Sequence, residues 1–301
     1  MTDTYHHPVL LKEAVAGLNI KPSGIYVDVT FGGGGHSRDI LDLLEDGRLI
    51  AFDQDPDAAA NVINDARFTL VPHNFRYLRK FLKLHKALPV DGILADLGVS
   101  SHQFDVAERG FSTRFEGELD MRMSQSGELS AWKVINEYNQ NELQNIFSLY
   151  GEIINSKTLA QAIVAARKSA TIKTTSDLKR VIASLVRGKE YQYQAQVFQA
   201  IRIEVNKEME SLKEMLEQSA EVLKTGGRLV VISYHSLEDR LVKNYMKRGS
   251  FEGELVKDFY GKQLKPFKTI NSKPITPGEK EIKRNPRSRS AKMRIAEKIE
   301  N

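Results

Sequence analysis

The feature that most restricts the fold is a strand-like run that leads into four glycines and then into a helical segment. Gly24–Phe31 is rich in β-branched and aromatic residues, Gly32–Gly35 follow, and Ser37–Glu45 carries apolar residues at helical spacing. This order lets the backbone approach a ligand closely and directs the free N–H groups of a helix N-terminus at it. A glycine run by itself is also compatible with a plain tight turn.

Strand and helix signals continue to alternate after the glycines. Three further strand-like runs are Arg48–Asp53, Phe68–Pro72 and Val90–Leu97. Each pair of successive strands is separated by enough chain for a crossover helix, which is typical of a parallel sheet with both faces covered. The first hundred residues therefore predict an α/β fold.

The pattern changes to helical periodicity between about residues 131 and 223. This region contains a capping box, Thr174-x-x-Asp177, and a stripe that predicts one long helix from about Gln194 to Lys224. Strand character resumes at Arg228–Tyr234, whose buried centre needs neighbouring strands. We therefore predict one α/β domain, 1–108 and 206–301, interrupted by a helical insert at 109–205, in preference to two consecutive domains.

Composition excludes several classes of site. The 301 residues include no cysteine, so a disulfide framework, a thiolate zinc site and a cysteine nucleophile are all excluded. The histidines show no metal-ligand spacing, and no metal is expected. No signal-peptide core and no apolar run of membrane-spanning length are present, so we expect a soluble, cytoplasmic protein without membrane contact.

The positive charge is concentrated at the C-terminus. Residues 262–301 hold 12 Lys and Arg against 4 Asp and Glu, a net charge of +8, whereas the whole chain has a net charge of +5. Such an asymmetry suggests a phosphate-rich partner, and the alternative is a solvated, frayed tail. Four prolines in this segment predict an extended arm rather than a helix.

Acidic and aromatic side chains stand where the predicted strands end. Asp53 ends the second strand, Phe75 follows the third and Asp96 ends the fourth. Ligands of open α/β sheets bind at the carboxyl ends of strands, where Asp53 can accept both ribose hydroxyls of a nucleoside cofactor and Phe75 can cover an adenine. The alternatives are a turn residue at Asp53, a core aromatic at Phe75, and at Asp28 an acceptor that rigidifies the glycine loop.

The glycine loop fits neither of two familiar nucleotide-binding patterns. The third glycine of the dinucleotide fingerprint and the Gly-Lys-Ser/Thr of a Walker loop are both absent. The chain instead resembles the bacterial ribosomal RNA small subunit methyltransferase H family, also called MraW, over nearly its whole length. The similarity is carried by nine blocks in order: His7-Pro-Val-Leu-Leu, Asp28-x-Thr-Phe-Gly-x-Gly-Gly-His36-Ser37, Ala51-x-Asp53-x-Asp55, Asp91-Gly-Ile-Leu-x-Asp96-Leu-Gly-Val-Ser-Ser101, Ala107-Glu-Arg-Gly-Phe-Ser112, Leu119-Asp-Met-Arg-Met123, Phe198-Gln-Ala-x-Arg202-Ile-x-x-Asn206, Ser233-x-His235-Ser-Leu-Glu-Asp-Arg240 and Asn285-Pro-Arg-Ser-Arg-Ser290.

This resemblance implies a Rossmann-like, S-adenosylmethionine-dependent methyltransferase domain with an inserted all-helical domain, acting on N4 of a cytidine in 16S rRNA. It implies seven cofactor-binding residues: Gly34, Gly35, His36, Asp53, Phe75, Asp96 and Gln103. His102 stands where the family pattern has proline, which puts the local conformation beside Gln103 in question. Asp96, or a carbonyl of the 96–101 loop, is expected to accept a hydrogen bond from N4, so the role of Asp96 is shared between cofactor and base.

The resemblance also implies 16S rRNA within the small ribosomal subunit as the partner, and we expect a monomer or a homodimer. The helical insert is the expected substrate-recognition domain, and Arg109, Phe111, Arg122 and Arg202 are candidates for covering the target base. Their alternative role is packing and salt bridging. For His235 a structural role at the strand end is favoured. Two other function classes stay open: a methyltransferase with a DNA or protein acceptor, and a non-catalytic ribosome-binding factor.

Overall fold

The computed structural model describes residues 8–255, 257, 259–261 and 263–300. His6, His7, which begins the first family block, and Lys262, which begins the basic segment, lie outside these ranges. The chain forms two compact units, Met1–Gly98 with Glu210–Asn301 and Val99–Met209. The predicted domains, 1–108 with 206–301 and 109–205, follow the same order along the chain, and their roles stay predictions.

The described residues form one sheet, twelve α-helices and five short 3₁₀ helices. The strands are β1 (Ile25–Asp28), β2 (Arg48–Phe52), β3 (Phe68–Val71), β4 (Val90–Asp96), β5 (Leu223–Ser233), β6 (Phe267–Thr269) and β7 (Lys292–Lys298). The helices are α1 (Leu11–Gly17), α2 (Gly35–Asp42), α3 (Leu78–Leu84), α4 (Ser101–Asp105), α5 (Ala131–Glu137), α6 (Gln140–Leu149), α7 (Ser156–Ser169), α8 (Thr175–Ile182), α9 (Glu190–Asn206), α10 (Glu208–Val222), α11 (Ser236–Arg248) and α12 (Glu279–Arg284). None of these helices combines the length and the apolar character that crossing a bilayer requires.

The sheet lies in the first unit and has the strand order β3-β2-β1-β4-β5-β7-β6. Strands β1 to β5 pair in parallel, with Tyr26 of β1 in register with Leu49 on one side and Gly92 on the other. The α/β prediction is therefore confirmed. The connection between β2 and β3 departs from the expected crossover α-helix, because it contains only a 3₁₀ helix, Pro56–Asn61.

Both faces of the parallel strands are largely buried, as their mostly apolar sequences predict. Alternate residues such as Tyr26, Leu49 and Leu94 join a core cluster with residues of α1 and α2. The intervening residues are buried as well, and on that side Phe52 contacts Phe81 of α3 edge to face, with ring centroids 6.2 Å apart. This burial holds the carboxyl ends of β1, β2, β3 and β4 at one edge of the sheet.

The prediction of an extended C-terminal arm is wrong. Strand β7 pairs antiparallel with β5, with Ile295 in register with Val230, and β6 pairs with β7. Met293 and Ile295 enter the same core cluster as α1 and α2, while Arg294 forms a two-oxygen ion pair with Asp239 of α11. The alternation of charged and apolar residues from Lys292 to Ile295 is the strand signal, and the prolines before it exclude only a long helix.

The predicted long helix from Gln194 to Lys224 is also wrong, because it is two helices. Lys207 adopts a left-handed conformation (φ 49°) between α9 and α10. Asn206 accepts a hydrogen bond from the Met123 N–H (2.7 Å) and donates to the Met121 carbonyl (2.8 Å), which ties the end of α9 to an irregular segment of its own unit. A single left-handed lysine leaves the apolar period nearly intact, so periodicity does not reveal the break.

The second unit, Val99–Met209, is built from helices α4 to α9 around its own core of apolar residues from α5, α6, α7, α8 and α9. The predicted capping box is confirmed: the Thr174 hydroxyl accepts from the Asp177 N–H (3.1 Å), and the Asp177 carboxylate accepts from the Thr174 N–H (2.9 Å). These contacts satisfy two N–H groups that the first turn of α8 would otherwise leave unpaired.

Candidate functional site

Asp28, the last residue of β1, holds both ends of the glycine loop by hydrogen bonds. Its buried carboxylate accepts hydrogen bonds from the Ser37 hydroxyl (2.7 Å) in α2 and from the Thr30 N–H (3.0 Å). Burial raises the pKa of Asp28, and these hydrogen bonds act in the opposite direction. Asp28 therefore has the loop-rigidifying role that was open from the sequence.

At two of the glycines, the backbone lies so close to a neighbouring side chain that a Cβ would not fit. Gly34 is left-handed (φ 74°), and a Cβ there would lie 2.9 Å from the Phe31 ring. A Cβ at Gly35 would lie only 2.1 Å from Pro8. At Gly33, by contrast, a Cβ would meet nothing within 4 Å, so this part of the loop borders open space that a ligand can occupy.

Asp53 follows β2 and binds the backbone of the glycine loop. Its Oδ2 accepts from the Gly32 N–H (2.8 Å) and its Oδ1 accepts from the Asp55 N–H (2.8 Å). Burial raises the pKa of Asp53 to about 6, while the two backbone hydrogen bonds lower it and the Asp55 charge raises it. Each oxygen of a carboxylate accepts more than one hydrogen bond, so Asp53 retains capacity for hydroxyl groups of a ligand.

Phe75 lies beyond β3, where it is held by a small polar network. It begins a 3₁₀ helix that Asn74 caps by accepting from the Arg76 N–H (2.8 Å). Asn74 also donates to the side-chain oxygen of Gln54 (2.9 Å), which follows Asp53, so the ends of β2 and β3 are joined. Phe75 is half-buried, so part of the residue is accessible.

Asp96 ends β4, and both its side chain and its backbone have partners within the first unit. Its Oδ1 accepts from the Tyr234 hydroxyl (2.7 Å), its Oδ2 lies 3.8 Å from Nδ1 of His36, and its N–H donates to the Thr30 hydroxyl (2.7 Å). Burial raises the pKa of Asp96 to about 6, whereas His36 and the Tyr234 hydrogen bond lower it. The structure thus brings the glycine loop, His36 and Asp96 together.

Two residues that contact Asp96, Thr30 and Tyr234, were not predicted from the sequence. Thr30 lies within the Asp28–Ser37 block and Tyr234 fills the unspecified position between Ser233 and His235. Tyr234 follows β5, the neighbour of β4, so its place at a carboxyl strand end was a usable signal. Its pairing with Asp96 was not, because 138 residues separate the two side chains in the chain.

Gln103 belongs to the helical unit, where its side chain caps its own helix. The Gln103 oxygen accepts from the Ser100 N–H (3.0 Å), and the Ser100 hydroxyl accepts from the Gln103 N–H (3.2 Å). Gln103 is buried, and α4 begins normally despite His102 at the position where the family has proline. A contact between Gln103 and a cofactor stays a prediction.

The candidates for covering a base make contacts within the helical unit. The guanidinium of Arg122 pairs with both oxygens of Asp120, at 2.5 and 3.1 Å, and that of Arg202 pairs with both oxygens of Glu208, at 2.8 and 2.9 Å. Arg109 is buried and donates to the Arg122 carbonyl (2.9 Å), and Phe111 is a core residue. These contacts are those of packing and ion pairing, which was the alternative to covering the target base.

His235 has the structural role that was favoured from the sequence. It caps α11: its Nδ1 accepts from the Glu238 N–H (3.4 Å), and the Glu238 carboxylate accepts from the His235 N–H (3.4 Å) and also from the Tyr234 N–H (2.8 Å). This capping box fixes the backbone at the end of β5, directly beside Tyr234.

In comparisons with known proteins, the chain matches a family model and full-length relatives. The model of the MraW methylase family matches residues 3–299. "Ribosomal RNA small subunit methyltransferase H" of Flavobacterium johnsoniae is 60% identical over 99% of this chain and 100% of its own length. The protein of the same name from Bacteroides thetaiotaomicron is 60% identical over 98% of both chains. Among solved structures, an rRNA methylase from Streptococcus thermophilus aligns with 99% of this chain and 99% of its own at 11% identity and a TM-score of 0.44.

Proposed function

Because the chain belongs to the MraW methylase family, we propose that it transfers a methyl group from S-adenosylmethionine to the exocyclic N4 of a cytidine in 16S rRNA. The structural observation that supports this activity best is the carboxylate of Asp96, held beside the glycine loop at a carboxyl strand end. We further propose that the protein acts in the cytoplasm on the small ribosomal subunit, as a monomer or a homodimer.

The first unit has a donor and acceptor set that fits S-adenosylmethionine. The open side of Gly33 admits a ligand against the backbone, and Gly34, Gly35 and His36 form the N-terminus of α2 beside it. Asp53 retains acceptor capacity for the ribose hydroxyls, and the accessible part of Phe75 offers an apolar surface to the adenine. We assign these residues, Asp96 and Gln103 to cofactor binding.

The rate of methyl transfer to a cytosine amine is limited by N4, which is a weak nucleophile because its lone pair is delocalised into the ring. S-adenosylmethionine, when bound, supplies an activated methyl group. Asp96 accepts a hydrogen bond from N4, which holds the amine in line with that group and favours localisation of its lone pair. The base must leave its stack to reach this carboxylate, and we assign its recognition to the helical insert at 109–205.

The rate of the proposed reaction should fall as the pH drops below about 6, which gives the pH profile of kcat/KM an acidic limb. Asp53 and Asp96 have pKa values raised to about 6, so both become protonated at a higher pH than ordinary carboxyl groups and then no longer accept as carboxylates. At pH 5 we expect kcat/KM to be lower than at pH 8 by about tenfold for each group that must be ionised. Initial rates on small subunits between pH 5 and 8 measure this, and a flat profile contradicts it.

The decisive test of the function is the modified nucleoside. Purified protein, labelled cofactor and small subunits from a strain lacking the gene should give N4-methylcytidine at one position of 16S rRNA by mass spectrometry. Naked rRNA, DNA and total protein serve as parallel acceptors. Label on DNA or protein but not on subunits would favour another acceptor, and absence of cofactor binding in calorimetry would favour a non-catalytic ribosome-binding factor.

We also propose that the C-terminal segment contacts RNA phosphates. Part of its charge is used internally, since Arg294 pairs with Asp239 and Glu297 pairs with Arg228 (2.9 Å). Other basic residues around α12 are exposed, among them Lys283, Arg284 and Arg289. Exposed cations that displace counterions from RNA contribute salt-dependent affinity.

Truncation before Lys262 cannot test this contact, because it removes β6 and β7 from the sheet. Replacing Lys283, Arg284 and Arg289 together with glutamine should instead reduce the slope of log K against log salt by about 2 for binding to 16S rRNA. The matched control replaces the exposed Lys80, Lys83 and Lys86. Equal reductions in both triple variants would show an effect of net charge and count against this contact.

A further inference from the structure

Tyr234 is a half-buried hydroxyl at the site that has no part in the function proposed so far. Its oxygen lies 2.7 Å from Oδ1 of Asp96, and burial together with the Asp96 charge raises the pKa of Tyr234 well above its ordinary value. The phenol is therefore neutral and donates its proton to the carboxylate. Among the described residues, it provides the one hydrogen bond to the Asp96 carboxylate.

We propose that Tyr234 is a positioning residue for methyl transfer, which binds Oδ1 of Asp96 and thereby directs Oδ2 toward the N–H of the acceptor amine. This inference rests on the proposed function, in which Asp96 receives that N–H. It adds a residue from outside the glycine loop and from a different strand, β5, to the reaction.

The phenol ring is itself held in place. A Cβ on Gly98 would lie 3.4 Å from the Tyr234 ring, so the ring packs against the backbone that follows Asp96. The Tyr234 N–H donates to Oε2 of Glu238 (2.8 Å) in the capping box of α11. Ring packing on one side and a helix cap on the other leave the hydroxyl little freedom, which is what orientation of a second side chain requires.

None of the described groups that face the Asp96 carboxylate forms a hydrogen bond with Oδ2, so this oxygen is available to the acceptor amine. His36 comes from α2, Asp28 from β1, and Glu238 and Tyr234 from the β5–α11 junction. Nε2 of His36 lies 3.1 Å from the Val9 carbonyl, which can only accept, so this nitrogen carries a proton. Nδ1 of His36 lies 3.8 Å from Oδ2, which is too far for a hydrogen bond, so Oδ2 stays available to the N–H of the acceptor amine.

The reaction balances with this arrangement. N4 uses its lone pair to form the N–C bond, the electron pair of the broken C–S bond stays on sulfur, and the amine gives up one proton. Oδ2 of Asp96, already hydrogen-bonded to that N–H, receives the proton, while the Tyr234 hydroxyl stabilises the carboxylate form beforehand. A carboxylate held by one strong donor has a fixed geometry for this transfer.

The test is Tyr234→Phe, which keeps the ring and removes the hydroxyl. We expect kcat to fall by about 10- to 100-fold with KM for S-adenosylmethionine changed less than twofold. The acidic limb should move to higher pH, because the lost hydrogen bond stabilised the ionised form of Asp96. The matched control is Tyr26→Phe, another buried tyrosine of the sheet, whose hydroxyl oxygen accepts from the Lys21 N–H (2.7 Å).

A second substitution covers the case in which Tyr234→Phe fails to fold. Incorporation of 3-fluorotyrosine at position 234 preserves the ring and makes the hydroxyl a stronger donor, so the acidic limb should move to lower pH. An unchanged limb in both proteins, or a rise in KM alone, overturns the positioning role. If wild-type protein methylates no small-subunit RNA, the proposed function fails, and that result is distinct from an active enzyme that is indifferent to Tyr234.

Discussion

Replacing Asp96 with asparagine is expected to reduce kcat for methyl transfer by about 100- to 1000-fold, because the amide can neither take the proton of N4 nor accept as strongly. The side chain keeps its size and can still accept from the Tyr234 hydroxyl, so the contact at Oδ1 survives. Initial rates on small subunits measure the loss. The matched control is Asp42→Asn, an exposed carboxylate at the end of α2, which should leave the rate unchanged.

The same substitution should stabilise the protein at alkaline pH. The folded-state pKa of Asp96 is raised to about 6, above its ordinary value, so the folded protein binds more protons than the unfolded chain between about pH 4 and 6. The free energy of unfolding therefore falls as pH rises through that window, and the ionised carboxylate destabilises the fold above it. Asparagine does not titrate, so its gain in Tm over wild type should be larger at pH 8 than at pH 5. An equal change at both pH values would contradict this account.

Replacing Asp53 with alanine is expected to weaken binding of S-adenosylmethionine by about 2–3 kcal/mol, or about 30- to 150-fold in Kd. The substitution removes the acceptor assigned to the ribose hydroxyls. It also removes the anchor of the Gly32 N–H at 2.8 Å, so the loop loses part of its fixed geometry. Isothermal titration calorimetry with the cofactor measures the change.

Two companion variants make the Asp53 result specific. Asp46→Ala alters an exposed carboxylate in the loop before β2 and should bind the cofactor as wild type does. Asp53→Asn retains an acceptor oxygen, so its loss should be smaller than that of alanine. Unchanged affinity in Asp53→Ala would remove Asp53 from the site and favour the alternative of a strand-end turn residue.

The strands of the parallel sheet and several helix starts were predictable because their signals are local. A buried parallel strand is apolar along its whole length, and a capping box such as Thr174–Asp177 places both partners within one helical turn. Strand β7 was not predicted, because the four prolines of its segment favoured an extended arm. Charged and apolar residues nevertheless alternate from Lys292 to Ile295, as they do in a strand. The break at Lys207 has no local signal of comparable strength.

The sequence by itself determined which chemical groups stand at the carboxyl ends of the strands: the glycines, Asp53, Phe75 and Asp96. Only the tertiary structure decided how they are held, because the partners come from distant parts of the chain. Asp96 meets Tyr234 through the pairing of β4 with β5, and Gly32 meets Asp53 through the pairing of β1 with β2. Burial raises the pKa values of Asp53 and Asp96 to about 6, and burial is a property of the packed sheet that no local pattern specifies.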